Sequence, residues 1–107
     1  MMKRERTKQV IIDTKQLLSD PERWTKNTSA RDVNGNMVAA KDDAARCWCL
    51  FGAVRVSTDN FGEAISVSNV LCDYLPDGYM FLTNFNDSRK TKHEDVIGVL
   101  DKALGTI

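Results

Sequence analysis

The chain has 107 residues, 42% hydrophobic and 28% charged, and its 15 Lys and Arg balance its 15 Asp and Glu. This is an ordinary globular composition, enough for one domain spanning residues 1–107 and too short for a second core. Zero net charge argues against a nucleic-acid binder, whose affinity rests on a basic excess, and no run of ~20 apolar residues is present to span a membrane.

The opening stretch, MMKRERTKQV, holds the one local basic excess, with Lys3, Arg4, Arg6 and Lys8 against Glu5. It reads as the solvated first turn of a helix, with residues 1–6 as a candidate disordered end, rather than as a polyanion patch. No apolar segment follows the basic residues, so the stretch is not read as a signal peptide and the cytoplasm is the expected compartment. Residues 7–18 place Val10, Ile11, Thr14, Leu17 and Leu18 at helical spacing. Ser19 and Asp20 before Pro21 mark a stop and a new N-cap, opening the short turn PERW, with Trp24 as a core anchor.

The longest polar stretch covers residues 25–41, and its Asn34-Gly35 pair, flanked by Val33, Met37 and Val38, suggests a small hairpin over 31–39 or an ordered loop. Asp42 or Asp43 can cap the next helix, predicted over 44–56 from the segment ARCWCLFGAV. Its apolar side chains lie nearly all round, so it reads as the central, most buried helix, with Trp48 and Phe51 as the largest core fillers. Gly52 and Ala53 leave room there for a neighbouring helix. A helix over Phe61 to Leu75 carries Ala64, Val67, Leu71 and Leu75 inward, with Ser66, Asn69 and Asp73 outward. After the turn Pro76-Asp77-Gly78, the aromatic-rich YMFLTNF reads as a strand over 79–85. Thr91-x-x-Glu94 reads as a capping box for the last helix, which bears Val96, Ile97, Val99, Leu100, Ala103 and Leu104 and ends at Gly105. The prediction is a mainly helical α+β domain: about four helices around a buried central helix at 44–56, one short strand at 79–85 and a small hairpin at 31–39.

Few constellations carry chemistry. Asp32, Asn34 and Asn36 alternate as in a calcium loop, but Lys41 stands where the bidentate Glu would be. Cys47 and Cys49 would point about 200° apart on a helix and cannot easily share an ion. Neither a metal nor any other cofactor is expected, and the odd count of three cysteines fits a reducing compartment. A thiol hydrolase or transferase could use Cys49 with His93 as its base and Asp87 or Asn86 to orient the imidazole. Against it, His93 sits in a solvated first turn and a mid-helix thiol gains little from the helix dipole, so the cysteines read first as small core residues. The segment FNDSRKT is the best candidate surface, with Asn86, Asp87, Arg89 and Thr91 at a turn where Asp32 could also contribute to a small-ligand site. The plainer alternative is an Asx-turn followed by a helix cap, with Asp32 paired to Arg46 or Arg89.

Trp24, Ala30-x-Asp32-x-x-Gly35, Ala45-Arg46-Cys47-x-Cys49-Leu50-x-Gly52-Ala53, Phe85-Asn86-Asp87, Thr91-x-x-x-Asp95-Val96 and Leu100-Asp101-Lys102-Ala103 follow one another in this order. Together, over residues 9–104, they resemble a family of small bacterial and phage proteins known only as a domain of unknown function. In that family a Cys-Leu-x-Gly-Ala helix precedes an Asn-Asp turn and a Thr-capped terminal helix. The resemblance implies that Trp24, Asp32, Cys49, Gly52, Asn86, Asp87 and Thr91 form the signature to test. Cys47 and the long 25–41 loop depart from the family pattern. It also implies a small accessory protein acting on a host protein. The leading expectation is therefore a protein-interaction module, binding a host protein or forming a homodimer, with no membrane partner and no nucleic acid.

Overall fold

The first helix, α1 (Arg4–Leu18), follows the stripe expected of it, for Val10, Ile11, Thr14 and Leu18 are all fully buried. Thr14 is tolerated inside because its hydroxyl donates to the Val10 carbonyl one turn back, 2.8 Å away. The structure, a computed structural model, describes residues 3–107. Helix α1 thus begins within the stretch named as a candidate disordered end, of which residues 1–2 lie outside the described residues. Asp20 then caps a 3-10 turn, Pro21–Arg23, by accepting the Glu22 N–H at 2.9 Å.

Among the described residues there are five α-helices and one three-stranded antiparallel sheet, which is the mainly helical α+β architecture expected. The hairpin joins β1 (Ala30–Arg31) to β2 (Met37–Val38), pairing Ala30 with Val38 and Arg31 with Met37. Its turn closes around Asp32, whose carboxylate accepts the N–H groups of Asn34 and Asn36, each at 2.9 Å. Gly35 supplies the positive φ of 84° that this turn needs. The Arg31 guanidinium orders the preceding loop by reaching the Thr25 hydroxyl and the Lys26 and Gly35 carbonyls.

The predicted helix over 44–56 is two elements instead of one. Cys47–Trp48 form strand β3 on the other side of β1, and α2 (Leu50–Ser57) starts only after Cys49. The reason is tertiary: the N–H groups of Arg46 and Cys49 bond the Arg31 and Ser29 carbonyls, and the Trp48 carbonyl accepts from Thr25. Helix α2 keeps the central place expected of it, packing against α1, α3 (Phe61–Cys72) and α4 (Leu82–Asp87). Trp48 and Phe51 are only half-buried, and Phe85 is the largest side chain fully inside. Gly52 faces backbone rather than a helix, for a Cβ there would overlap the Ser29 carbonyl oxygen.

Two further expectations change. The strand predicted at 79–85 is not formed; α4 begins at Leu82 and buries Leu82, Phe85 and Asn86 at helical spacing. The last helix, α5 (His93–Thr106), starts later than a Thr91 cap would require. Asp95 accepts the Lys92 N–H at 2.8 Å, the one half of a capping box that a Lys N-cap allows, and the helix runs past Gly105. The core is then one cluster in which α1, α2, α3, α4 and α5 each bury their apolar stripe.

Because a methyl at position 52 must displace main chain rather than a flexible side chain, Gly52→Ala should cost about 3 kcal/mol, read as a lowered urea midpoint.

Candidate functional site

Asn86 closes the last turn of α4 with no surface exposed. A primary amide has two donors and two acceptor positions, and here the protein satisfies all of them. Its Oδ1 accepts the Trp24 indole N–H at 2.6 Å and the Leu50 N–H at 3.0 Å. Its Nδ2 donates to the Thr25 carbonyl at 3.0 Å and to Asp87 Oδ1 at 2.9 Å. The Leu50 N–H belongs to the first turn of α2, which has no intrahelical acceptor, so Asn86 completes that helix end from another element.

Around this amide the neighbouring residues are fastened in turn. Asp87 also accepts the Asn27 N–H at 2.8 Å, holding Asn27 at a φ of 70°. Lys26 Nζ donates to the Ser88 and Thr91 carbonyls, both at 2.7 Å, and lies 5.3 Å from the Trp24 ring centre. The Tyr79 hydroxyl donates to Ser88 Oγ at 2.7 Å. Asn86, Asp87 and Thr91 are thus brought together with Trp24, in an arrangement that ties the 24–27 loop to the α4–α5 corner.

Asp32 and Arg89 stand outside it. Asp32 turns onto its own hairpin, where the Asn36 N–H above all holds its carboxyl below the usual carboxylate range. Among the described residues it pairs neither with Arg46, whose guanidinium reaches the Asp43 and Ala45 carbonyls, nor with Arg89, which is exposed at the α4–α5 corner.

The three members considered for a thiol relay have other engagements. Cys49 is the N-cap of α2, its sulfur accepting the Gly52 N–H at 3.2 Å, in place of the mid-helix position expected. Burial pushes its thiol up, the Gly52 N–H pulls the other way, and the Asp87 carboxylate raises it further. The His93 ring nitrogen meets the Leu18 carbonyl, with the ring tilted against Trp24 at 6.1 Å between centroids. Among the described residues no hydrogen bond joins Cys49 to His93, and no three His, Cys, Asp or Glu side chains converge as metal ligands would. No helix among them is long and apolar enough to cross a membrane.

Shallow hollows occur at several places, one of them beside His93, and the most apolar of them lies between three helices. An open cleft of about 330 Å³ runs between α2, α3 and α4, lined by Phe51, Ile65, Ser68, Cys72, Leu82 and Thr83 among others. Of its lining, Ile65 is 39% and Phe81 60% exposed, and Phe61, 56% exposed, stacks edge-on against Phe51 at 6.3 Å between ring centroids. No sequence motif marks these residues. A signal for them does exist, since Phe61, Ile65, Ser68 and Cys72 recur at helical spacing as a second stripe on α3, beside the buried Ala64, Val67 and Leu71.

A family model described as "Family of unknown function (DUF6197)" matches residues 2–106, which agrees with the resemblance read over 9–104. No curated protein and no solved structure matches the chain.

Two outcomes follow from the geometry around Asn86 and Cys49. Asn86→Ala strips the partners from the Trp24 indole and the Leu50 N–H, and should lower stability by about 3–5 kcal/mol in chemical denaturation. In native-state alkylation read by mass spectrometry, Cys49 should stay protected until the chain unfolds, while the more exposed Cys47 and Cys72 react first.

Proposed function

The chain belongs to that family of unknown function, and on that premise we propose that it is a non-enzymatic protein-interaction module whose docking face is the apolar rim of the α2–α3–α4 cleft. One observation carries the reading: Ile65 and Phe81 are exposed on the lining of one cleft, and the exposed Phe61 stacks edge-on against its Phe51. Scattered exposed apolar residues need no explanation, whereas a contiguous apolar patch around a groove marks an interaction surface. Aromatic residues and Met are the types enriched at the cores of interfaces.

The occupant is a second copy of the chain. With 15 basic and 15 acidic side chains, two copies approach without net repulsion. A single apolar patch facing itself across a two-fold axis closes after one contact, which is the commonest form of soluble oligomer. The wider setting comes from the resemblance rather than from the site: the cytoplasm of a bacterium or of a phage-infected cell, where such an accessory protein acts on a host protein.

Sedimentation equilibrium tests the pairing. The wild-type mass should rise with concentration to twice the 12.0 kDa of the chain. Phe81→Asp should remain at 12.0 kDa throughout, with an unchanged far-ultraviolet circular dichroism spectrum, since Phe81 is exposed. A wild-type chain that stays monomeric from micromolar to millimolar concentration would sink the self-association reading.

A further inference from the structure

The Asn34-Gly35 pair forms the turn of the β1–β2 hairpin, and it also carries a covalent chemistry of its own. The main-chain nitrogen after an Asn can attack that side chain's carbonyl carbon, Cγ, and close a five-membered succinimide ring. Bulk on the residue that supplies the nitrogen hinders the approach, and Gly has no side chain to do so. Each of the other Asn residues (Asn27, Asn36, Asn60, Asn69, Asn84 and Asn86) precedes a residue with a side chain. Asn34 and Gly35 are both exposed, so water reaches the ring once it forms.

The folded turn holds the reacting nitrogen back. The Gly35 N–H donates to the Asp32 carbonyl at 3.0 Å, and the Gly35 carbonyl accepts from the Arg31 guanidinium at 3.1 Å. Asp32 Oδ1 accepts the Asn34 and Asn36 N–H groups at 2.9 Å each, and the Asp32 N–H donates to the Asn36 carbonyl at 2.9 Å. The peptide units on both sides of Asn34 are thereby fastened, and neither can swing toward Cγ while these bonds last. The charges of Asp32 and Arg31 both face the turn and oppose each other, so hydrogen bonding rather than net charge restrains the nitrogen.

We propose that Asn34 is a self-modification site, converted to aspartyl and isoaspartyl forms when the β1–β2 turn opens, with the Asp32 side chain as the latch that sets the rate. In the first step the Gly35 nitrogen bonds to Asn34 Cγ and the bond from Cγ to the side-chain nitrogen breaks. Ammonia leaves, carrying the proton that Gly35 gives up. Water then adds to one of the two ring carbonyls and the ring opens. One direction gives an ordinary aspartyl residue, the other an isoaspartyl residue whose main chain is longer by one methylene. Either product adds a negative charge to a chain whose net charge is zero. The longer main chain cannot keep the Asp32–Gly35 and Asp32–Asn36 bonds in register, so it loosens β2 from β1, the middle strand of the sheet.

The test is timed incubation of the full chain at neutral and mildly alkaline pH. Peptide mapping by mass spectrometry reads the amide-to-acid mass gain at each Asn and separates the two products. Asn34 should convert while Asn36, equally exposed two residues on, stays an amide. Conversion of Asn34 should run about tenfold slower in the native chain than in concentrated urea, the worth of one or two hydrogen bonds. Asp32→Ala should bring the native rate close to the rate in urea. Asp32→Asn keeps a side-chain oxygen as acceptor and should stay near the wild-type rate. Far-ultraviolet circular dichroism reports whether each variant is folded; should Asp32→Ala not be, the wild-type comparison with urea and the Asp32→Asn rate decide. The proposal is overturned if another Asn converts first, if Asn34 converts equally fast in native buffer and in urea, or if folded Asp32→Ala is no faster than wild type.

Discussion

A carboxamide removed from water must find two donors' worth of acceptors and two acceptors' worth of donors inside the protein, and Asn86 finds them in segments distant along the chain. It joins Trp24 and Thr25, the start of α2 at Leu50, and its own neighbour Asp87. Once the 24–27 loop is held there, the backbone leading away from it is placed as well. The Ser29 carbonyl comes to lie against Gly52 and accepts the Cys49 N–H, and Ala30 and Arg31 are set where Cys47 and Trp48 can pair with them. The short sheet is thus positioned by a buried polar junction more than by strand length, since each strand has only two residues.

The junction also explains what several polar residues are for. Cys49 caps a helix through a sulfur, a weak acceptor, and is kept neutral by burial. Lys26 places its charge against two carbonyls and the Trp24 ring instead of a carboxylate. Arg6 pairs with Asp59 and with Glu63, joining α1 to the start of α3, and Lys15 pairs with Asp101, joining α1 to α5. Both are exposed enough for solvent and salt to screen, so they trim the helix arrangement and the apolar cluster supports it.

Helix α3 is where structure turns toward function. One stripe, Ala64, Val67 and Leu71, faces α2 and α5 in the core. The adjacent stripe, Ile65, Ser68 and Cys72, forms a wall of the cleft, with Ile65 exposed and Ser68 buried. A helix apolar over more than one face belongs either in a deeper core or against a partner, and a single domain of this size supplies only the first stripe with neighbours.

Where the period was long and uninterrupted, the sequence alone determined the element. The stripes of α1 and α5, the core stripe of α3, the Asp20 cap and the Asn34-Gly35 turn are local features, set by side chains a few residues apart. ARCWCLFGAV is too short and too uniformly apolar for its period to separate strand from helix, and hydrogen bonds to Ser29 and Arg31 made the choice. YMFLTNF has strand-like composition but no strand to pair with, and burial of Leu82, Phe85 and Asn86 on one side winds it into α4. The residues at the junction are legible in the sequence as a group, since Trp24, Asn86, Asp87 and Thr91 all stand in its motifs; their mutual bonds are not, because those contacts span about sixty residues of chain. The cleft was not legible at all. Whether an apolar stripe is covered depends on where the other helices end, and only the packed chain decides that.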